Sequence, residues 1–272
     1  MENPFILIPL GFAVGTIGTL IGAGGGFILM PVLLFLYPNM SPDSLVGISL
    51  AVVFFNSFSG SLSYARMKRI EYKSGFIFSL ASLPGAITGA YTTAFIARNT
   101  FDIIFGLLMI GASTFLLTRG PLETKIPKKT DAKKFTVKMT DLEGGEHNFS
   151  FNIYIGIAIS FVIGFISSLV GIGGGIIHVP VLVYLLNFPV HLATATSHFV
   201  LAITSLSGCS VHLINGIFDD SISLIIFLGI GAVLGAQAGA RLSRKIKGTF
   251  IIKGLALALG IVGVRLLVLA IY

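Results

Sequence analysis

The residues of this chain that could do chemistry are neither paired acids nor a metal cluster; they are backbone amides and small hydroxyls. Two glycine runs, "GAGGG" at 22–26 and "GIGGG" at 171–175, interrupt apolar stretches, and each has a proline five residues on, Pro31 and Pro180. Glycine inside a helix costs roughly 1 kcal/mol against Ala, so two copies at one place imply that the break itself is wanted. If the chain turns back there, half-helices start near Phe27 and Ile176 with free N–H groups at their N-termini. Such an end favours an anion, because the amide dipoles add up there to roughly half a positive charge. Gly22, Gly24, Gly25 and Gly26, with Gly171, Gly173, Gly174 and Gly175, are therefore the candidate anion-binding backbone. A P-loop is excluded, since no Lys-Ser/Thr follows either run.

Side-chain donors recur beside them. Ser49, Asn56, Ser59 and Ser63 are spaced to line one face of a helix, and Ser197, Thr204 and Ser207 repeat the spacing. Hydroxyl and amide groups hold an oxyanion without the full desolvation cost of a buried lysine. The plainer use of such a stripe is hydrogen bonding between helices; its recurrence sets this one apart. His178, His198 and His212 have no counterparts in the first half. They are candidates for substrate contact or proton coupling, against the plainer reading of satisfied structural histidines. Arg241, with Gln237 at the end of a span, either guides anions at a cytoplasmic mouth or marks orientation.

The elements that position these groups follow from composition. Hydrophobic residues make up 54% of the 272 and charged residues 11%, too few charges to cover a water-soluble surface. Apolar runs at 45–64, 74–97, 101–118, 193–214, 221–240 and 253–272 each approach the roughly 20 residues that cross hydrocarbon as a helix. Glu2 stands where a signal peptide would carry Lys or Arg, and no A-x-A site follows, so the first segment is expected to be retained. The single Cys209 excludes an internal disulfide. The net charge of +7 falls in short connections and reads as orientation signals, not as a nucleic-acid surface.

The chain is duplicated. Gly15, Gly22, Gly24, Gly25, Gly26 and Pro31 recur as Gly164, Gly171, Gly173, Gly174, Gly175 and Pro180; "NSFSGS" recurs as "TSLSGC", and "PGAITGA" as "LGAQAGA". The expected units are a first membrane repeat at 1–118, a linker at 119–150 and a second repeat at 151–272. Within the linker, alternation around Gly144-Gly145 suggests a small hairpin acting as spacer or lid. Segment 5–37 is too long for one span and too short for two. Were it one kinked span, Arg241, Arg244, Lys245 and Lys247 would fall outside; a re-entrant hairpin leaves only Arg98 and Arg265 there. The expectation is an all-α polytopic helical membrane protein of two inverted repeats, each a re-entrant or broken Gly-rich helix plus three full spans. Both termini lie outside and the linker lies in the cytoplasm. Close helix packing is the competing use of the glycines, but it calls for four-residue spacing rather than for "GAGGG" and "GIGGG".

The doubled G-x-G-G-G-x-x-x-x-P, with N-S-x-S-G at 56–60, P-G-A-x-x-G-A at 84–90 and G-A-x-x-G-A-R-L at 235–242, resembles the sulfite exporter TauE/SafE family of membrane permeases. The resemblance covers nearly the whole chain, the linker least. It implies an inner-membrane transporter of sulfur-containing anions such as sulfite, sulfoacetate or other organosulfonates, commonly outward. The sequence departs from strict symmetry in "SHF" at 197–199, where the first half has "SLA".

The resulting expectation is a secondary transporter, an exporter, of a small sulfur anion held between the two breaks near the midplane. Its partners are that anion, the bilayer and, with no sequence signal either way, further copies of the chain; no cofactor and no nucleic acid are expected. An anion channel is the nearest alternative and would differ in flux. A metal-ion transporter using His178, His198 and His212 is a third reading. An enzyme is not expected, because the apolar spans carry almost no Asp or Glu.

Overall fold

The computed structural model describes residues 3–118, 135–142, 144–218, 221–243 and 248–271. Linker residues 119–134 and the basic residues Arg244, Lys245 and Lys247, on which the expected orientation of the chain rests, lie outside the described residues. The described chain is mostly helical: α1 (Pro4–Ile21), α2 (Gly26–Leu36), α3 (Pro42–Arg66), α4 (Tyr72–Thr93) and α5 (Arg98–Thr118), then strands β1 (Phe135–Thr140) and β2 (Glu146–Phe151). It continues with α6 (Ile153–Leu169), α7 (Gly175–Tyr184), α8 (Val190–Ile214), α9 (Ile222–Leu242) and α10 (Gly248–Ile271). Four of the described helices, α1, α3, α8 and α9, are long and apolar enough to cross a membrane.

Helix starts divide into two kinds. Asn3, Ser41, Glu71 and Asn152 accept hydrogen bonds from first-turn amides of α1, α3, α4 and α6, which satisfies donors the helix cannot. The short helices α2 and α7 begin instead at Gly25 and Gly174, both left-handed, with no side chain over their first amides.

Packing interleaves the first and second halves of the chain. α1 lies along α9, and α6 along α4. Both contacts are backbone-close: a methyl on Gly15 would stand 2.6 Å from the Ala232 oxygen, and Gly85 and Gly89 sit against the carbonyls of Phe161 and Phe165. Small residues there let dispersion hold helices together where lipid supplies no hydrophobic drive. α3 and α8 cross at the centre in opposite directions, Gly47 beside His212 at one end and Gly60 beside His198 at the other. α5 and α10 are likewise antiparallel: Gly106 meets Leu267, while the Ser113 hydroxyl donates to the Ala256 carbonyl at 2.7 Å. Ser49, Ser57, Thr196 and Ser197 are buried inside, whereas Phe5, Leu80, Phe95, Leu107 and Ile214 are exposed. Such extensive outward apolar surface suits lipid and not water.

The strands form an antiparallel hairpin in register from Phe135↔Phe151 to Thr140↔Glu146. It is docked on the helices. The Leu142 N–H donates to the Met67 carbonyl at 3.2 Å, the Lys73 ammonium lies 4.8 Å above the Phe135 ring, and Phe149 and Phe151 pack on Phe188.

Candidate functional site

The two glycine runs adopt the same backbone path. Gly22, Gly24 and Gly25 have φ of 87°, 72° and 83°; Gly171, Gly173 and Gly174 have 73°, 73° and 92°. An L-residue pays roughly 1–2 kcal/mol for each such position, so three within four residues select glycine. The first turn folds back on its own helix: a methyl on Gly25 would meet the Val14 side chain at 2.8 Å and the Val14 oxygen at 2.9 Å. The breaks also touch each other. A methyl on Gly26 would lie 2.9 Å from the Gly171 oxygen, and one on Gly175 would strike the Gly22 oxygen.

Each turn is braced by a serine from the other half of the chain. The Ser49 hydroxyl on α3 donates to the Gly171 carbonyl at 2.6 Å, and Ser197 on α8 donates to the Gly22 carbonyl at 3.2 Å. The N–H groups of Gly25, Gly26 and Phe27 have no hydrogen-bond partner among the described residues, and neither do those of Gly174, Gly175 and Ile176. Buried amides left this way demand a partner, and an anion is the one that the helix dipole prefers.

A small cavity, with room for about one water-sized molecule, opens at the second break. Gly173, Gly174, His178 and Thr204 line it, as expected candidates, together with Ser82, Ser160 and Ser167. Ser82 and Thr204 join hydroxyls at 2.8 Å across α4 and α8, and Thr204 also donates to the Val200 carbonyl at 2.9 Å. The His178 ring is buried, edge-on to Phe78 with centroids 6.0 Å apart, and its Nδ1 has no partner.

The remaining candidates sit elsewhere. Asn56 is buried at the first break, where its Oδ1 accepts from the Thr19 hydroxyl at 3.1 Å; that hydroxyl is also 3.1 Å from His198 Nε2. Tyr64 closes this cluster by donating to the Thr19 carbonyl at 2.8 Å. Ser59 is held by α9: it donates to the Val233 carbonyl at 2.9 Å and accepts from Gln237 Nε2 at 2.8 Å. Ser207 is half-buried and outside the cavity, and Arg241 is exposed. His212 lies at the far end of α8, its Nδ1 3.1 Å from the Asp43 carboxylate. The three histidines therefore stand apart, and no metal-holding group of His, Cys, Asp or Glu occurs among the described residues.

Sequence reasoning passed over Thr19, Ser82, Ser160 and Ser167. Ser160 and Ser167 are two turns apart on α6 with Gly164 between them, a polar face that could have been read from spacing alone. Ser82 could not, because its role depends on α4 crossing to the other half.

Comparison with known proteins gives the chain's family. The family model for the sulfite exporter TauE/SafE matches residues 7–266. The chain is 35% identical over 269 residues to the probable membrane transporter protein YunE of Bacillus subtilis, covering 96% of each chain. It is 29% identical to a probable membrane transporter protein of Methanocaldococcus jannaschii, covering 96% of this chain and 94% of that one. The probable membrane transporter protein YdhB of Bacillus subtilis is 26% identical, with 96% and 99% covered. No solved structure matches the chain. A match spanning nearly every helix, on a multi-pass apolar scaffold built around two glycine breaks, places this chain in the TauE/SafE sulfite exporter family of membrane transporters.

Proposed function

We propose that this transporter is a secondary exporter of a small sulfur oxyanion, such as sulfite or an organosulfonate, bound near the midplane where the two glycine breaks meet. The observation that carries the reading is the contact between the breaks, each presenting three amides without partners. Gly22, Gly24, Gly25, Gly26 and Gly171, Gly173, Gly174, Gly175 supply the amide surface, with Asn56 and Ser207 as neighbouring donors. Ser59, Ser197 and Thr204, whose hydroxyls donate to backbone carbonyls in this state, become donors only where the anion draws them off those carbonyls. His178, His198 and His212 serve substrate contact or proton coupling, and Arg241 the cytoplasmic mouth.

The units at 1–118 and 151–272 act as inverted repeats, each a re-entrant hairpin plus three spans, with residues 119–150 on the cytoplasmic side of the inner membrane and both termini outside. The antiparallel crossings of α3 with α8 and of α5 with α10 support the inversion, because corresponding helices of inverted repeats run oppositely. Access alternates as one repeat rocks against the other, driven by a solute gradient, the membrane potential or a coupled ion.

Flux tests the substrate. Purified protein in proteoliposomes should carry labelled sulfite or sulfoacetate saturably, at carrier turnover. Failure with sulfite and with every sulfonate tried removes the substrate assignment, and channel-like conductance removes the carrier mechanism. Single cysteines placed at each terminus of a Cys209→Ala variant should both label from outside; opposite labelling removes the inverted topology.

A further inference from the structure

The duplicated motifs align the two breaks residue by residue, and their surroundings differ systematically. Where the second break has Ser160 and Ser167 on α6, the first has Gly11 and Gly18 on α1; Ser82 corresponds to Ala232, and His178 to Leu29. Four polar side chains thus face the second break at places where the first offers none. The packing follows the chemistry. A methyl on Gly18 would collide with the backbone nitrogen of Gly25, so the first turn closes directly on its helix. At the second, the Ser167 hydroxyl stands between helix and turn, 3.0 Å from where a methyl on Gly174 would sit, and a cavity remains. At the first break, Asn56, aligned with Thr204, has its Oδ1 3.0 Å from the methyl position of Gly15 and accepts the Thr19 hydroxyl.

We infer that this transporter binds one anion per chain, at the second break alone, with the His178 imidazole as the side-chain donor that fixes it over the first turn of α7. The inference rests on the anion reading above and assigns the site to one member of a near-symmetric pair. Two independent observations meet there, at a cavity that admits one water-sized molecule in this state and must widen to take the oxyanion. The ten-residue helix α7 presents the unpartnered N–H groups of Gly174, Gly175 and Ile176. His178, 2% exposed, lines the same cavity with Nδ1 unbonded. Ser160, also 2% exposed and without a bond among the described residues, adds a free hydroxyl. The imidazole, as an N–H donor that need not be charged, suits a desolvated oxyanion better than a buried ammonium would. The first break also holds buried unbonded groups, Asn56 Nδ2 and His198 Nδ1, but its turn lies directly against α1 at Gly18, and it serves as the fixed surface against which the second is built.

Isothermal titration of the full-length protein in detergent, with sulfite kept anaerobic and sulfoacetate as second ligand, tests this. The wild type should bind one anion per chain. His178→Leu, which installs the first-half residue, should weaken binding at least about tenfold, as expected for a lost hydrogen bond to a charged ligand. His178→Gln, which keeps an N–H donor, should retain affinity within about threefold. If His178→Leu cannot be recovered folded, Ser160→Gly carries the same comparison, with an expected loss of about fivefold. Two anions per chain, or unchanged affinity in His178→Leu or Ser160→Gly, overturns the single-site assignment while leaving the anion reading intact. A wild type that binds neither ligand overturns both.

Discussion

At the first glycine break, α1 offers Gly18 to the returning chain, and the N–H groups of Gly22, Ala23 and Gly24 all converge on the Gly18 carbonyl at 3.0, 2.8 and 3.3 Å. At the second, α6 offers Ser167; the turn makes one bond to its carbonyl, from Ile172 at 3.1 Å, and the serine side chain intervenes. The same three left-handed glycines therefore produce a sealed turn in one half and a lined cavity in the other. Duplication preserved the backbone, and a few hydroxyl-for-glycine differences changed what the backbone faces. Near-symmetric architecture does not require two equivalent sites.

The sharpest way to break this comparison is at the surface that both breaks share. Gly175→Ala drives a methyl into the Gly22 carbonyl oxygen, with Ala23 Cα 2.7 Å away, and both are backbone atoms that cannot rotate aside. We expect a loss of about 3 kcal/mol, enough to abolish flux and to lower the thermal midpoint in detergent sharply. An unchanged midpoint would mean that the two turns do not abut.

Next in size is a contrast between the halves. Gly25→Ala and Gly174→Ala both place an L-residue at positive φ. The first adds a clash with the Val14 carbonyl oxygen at 2.9 Å, whereas the second meets only side-chain atoms, the Ser167 hydroxyl at 3.0 Å and Cβ at 3.1 Å and an Ile163 methyl at 3.2 Å, which give way by small shifts. Gly25→Ala should cost about 3 kcal/mol and Gly174→Ala about 1–2 kcal/mol. Equal losses in chemical-denaturation measurements would erase the distinction between a sealed and an open break.

What could be read beforehand divides along the same line. The breaks were legible because three left-handed residues within four leave a local signature that glycine best satisfies. The hydroxyl stripe of α3 and α8 was legible as spacing, but its use was not. Ser59 turned out to serve Gln237 on α9, and Ser197 to brace the Gly22 carbonyl, because the neighbour of each face is set by helices from the other half. The cavity was illegible for the same reason: Ser82, Ser167 and Thr204 meet only after α4 and α6 cross. Local conformation is written in adjacent residues, whereas partnership between helices is decided by tertiary packing.

The polar cluster of the first break offers a third contrast. Thr19→Val removes the donor to Asn56 and the hydroxyl facing His198. Stability should fall by about 1–2 kcal/mol, since buried groups lose partners, while anion affinity stays unchanged to within about twofold because the cluster lies outside the cavity. A variant that keeps its stability but loses affinity would move the binding site to the first break.

The smallest effect separates the two serine braces. Ser49 holds the Gly171 carbonyl at 2.6 Å, well within the range of an O–H donor, and Ser197 holds the Gly22 carbonyl at 3.2 Å, past the usual limit of about 3.0 Å. The sealed first turn has its own bonds from Gly22, Ala23 and Gly24 and depends less on its brace. The open second turn has a cavity on one side and relies on Ser49 to keep the Gly171 oxygen bonded. Ser49→Ala should therefore destabilise by about 1 to 1.5 kcal/mol and Ser197→Ala by about 0.5 kcal/mol. The larger loss in Ser49→Ala should be accompanied by weaker anion binding, because the turn that it releases carries Gly173 and Gly174. If Ser197→Ala proved the costlier change, or if only that variant lost affinity, the first break would be the one held open for the anion.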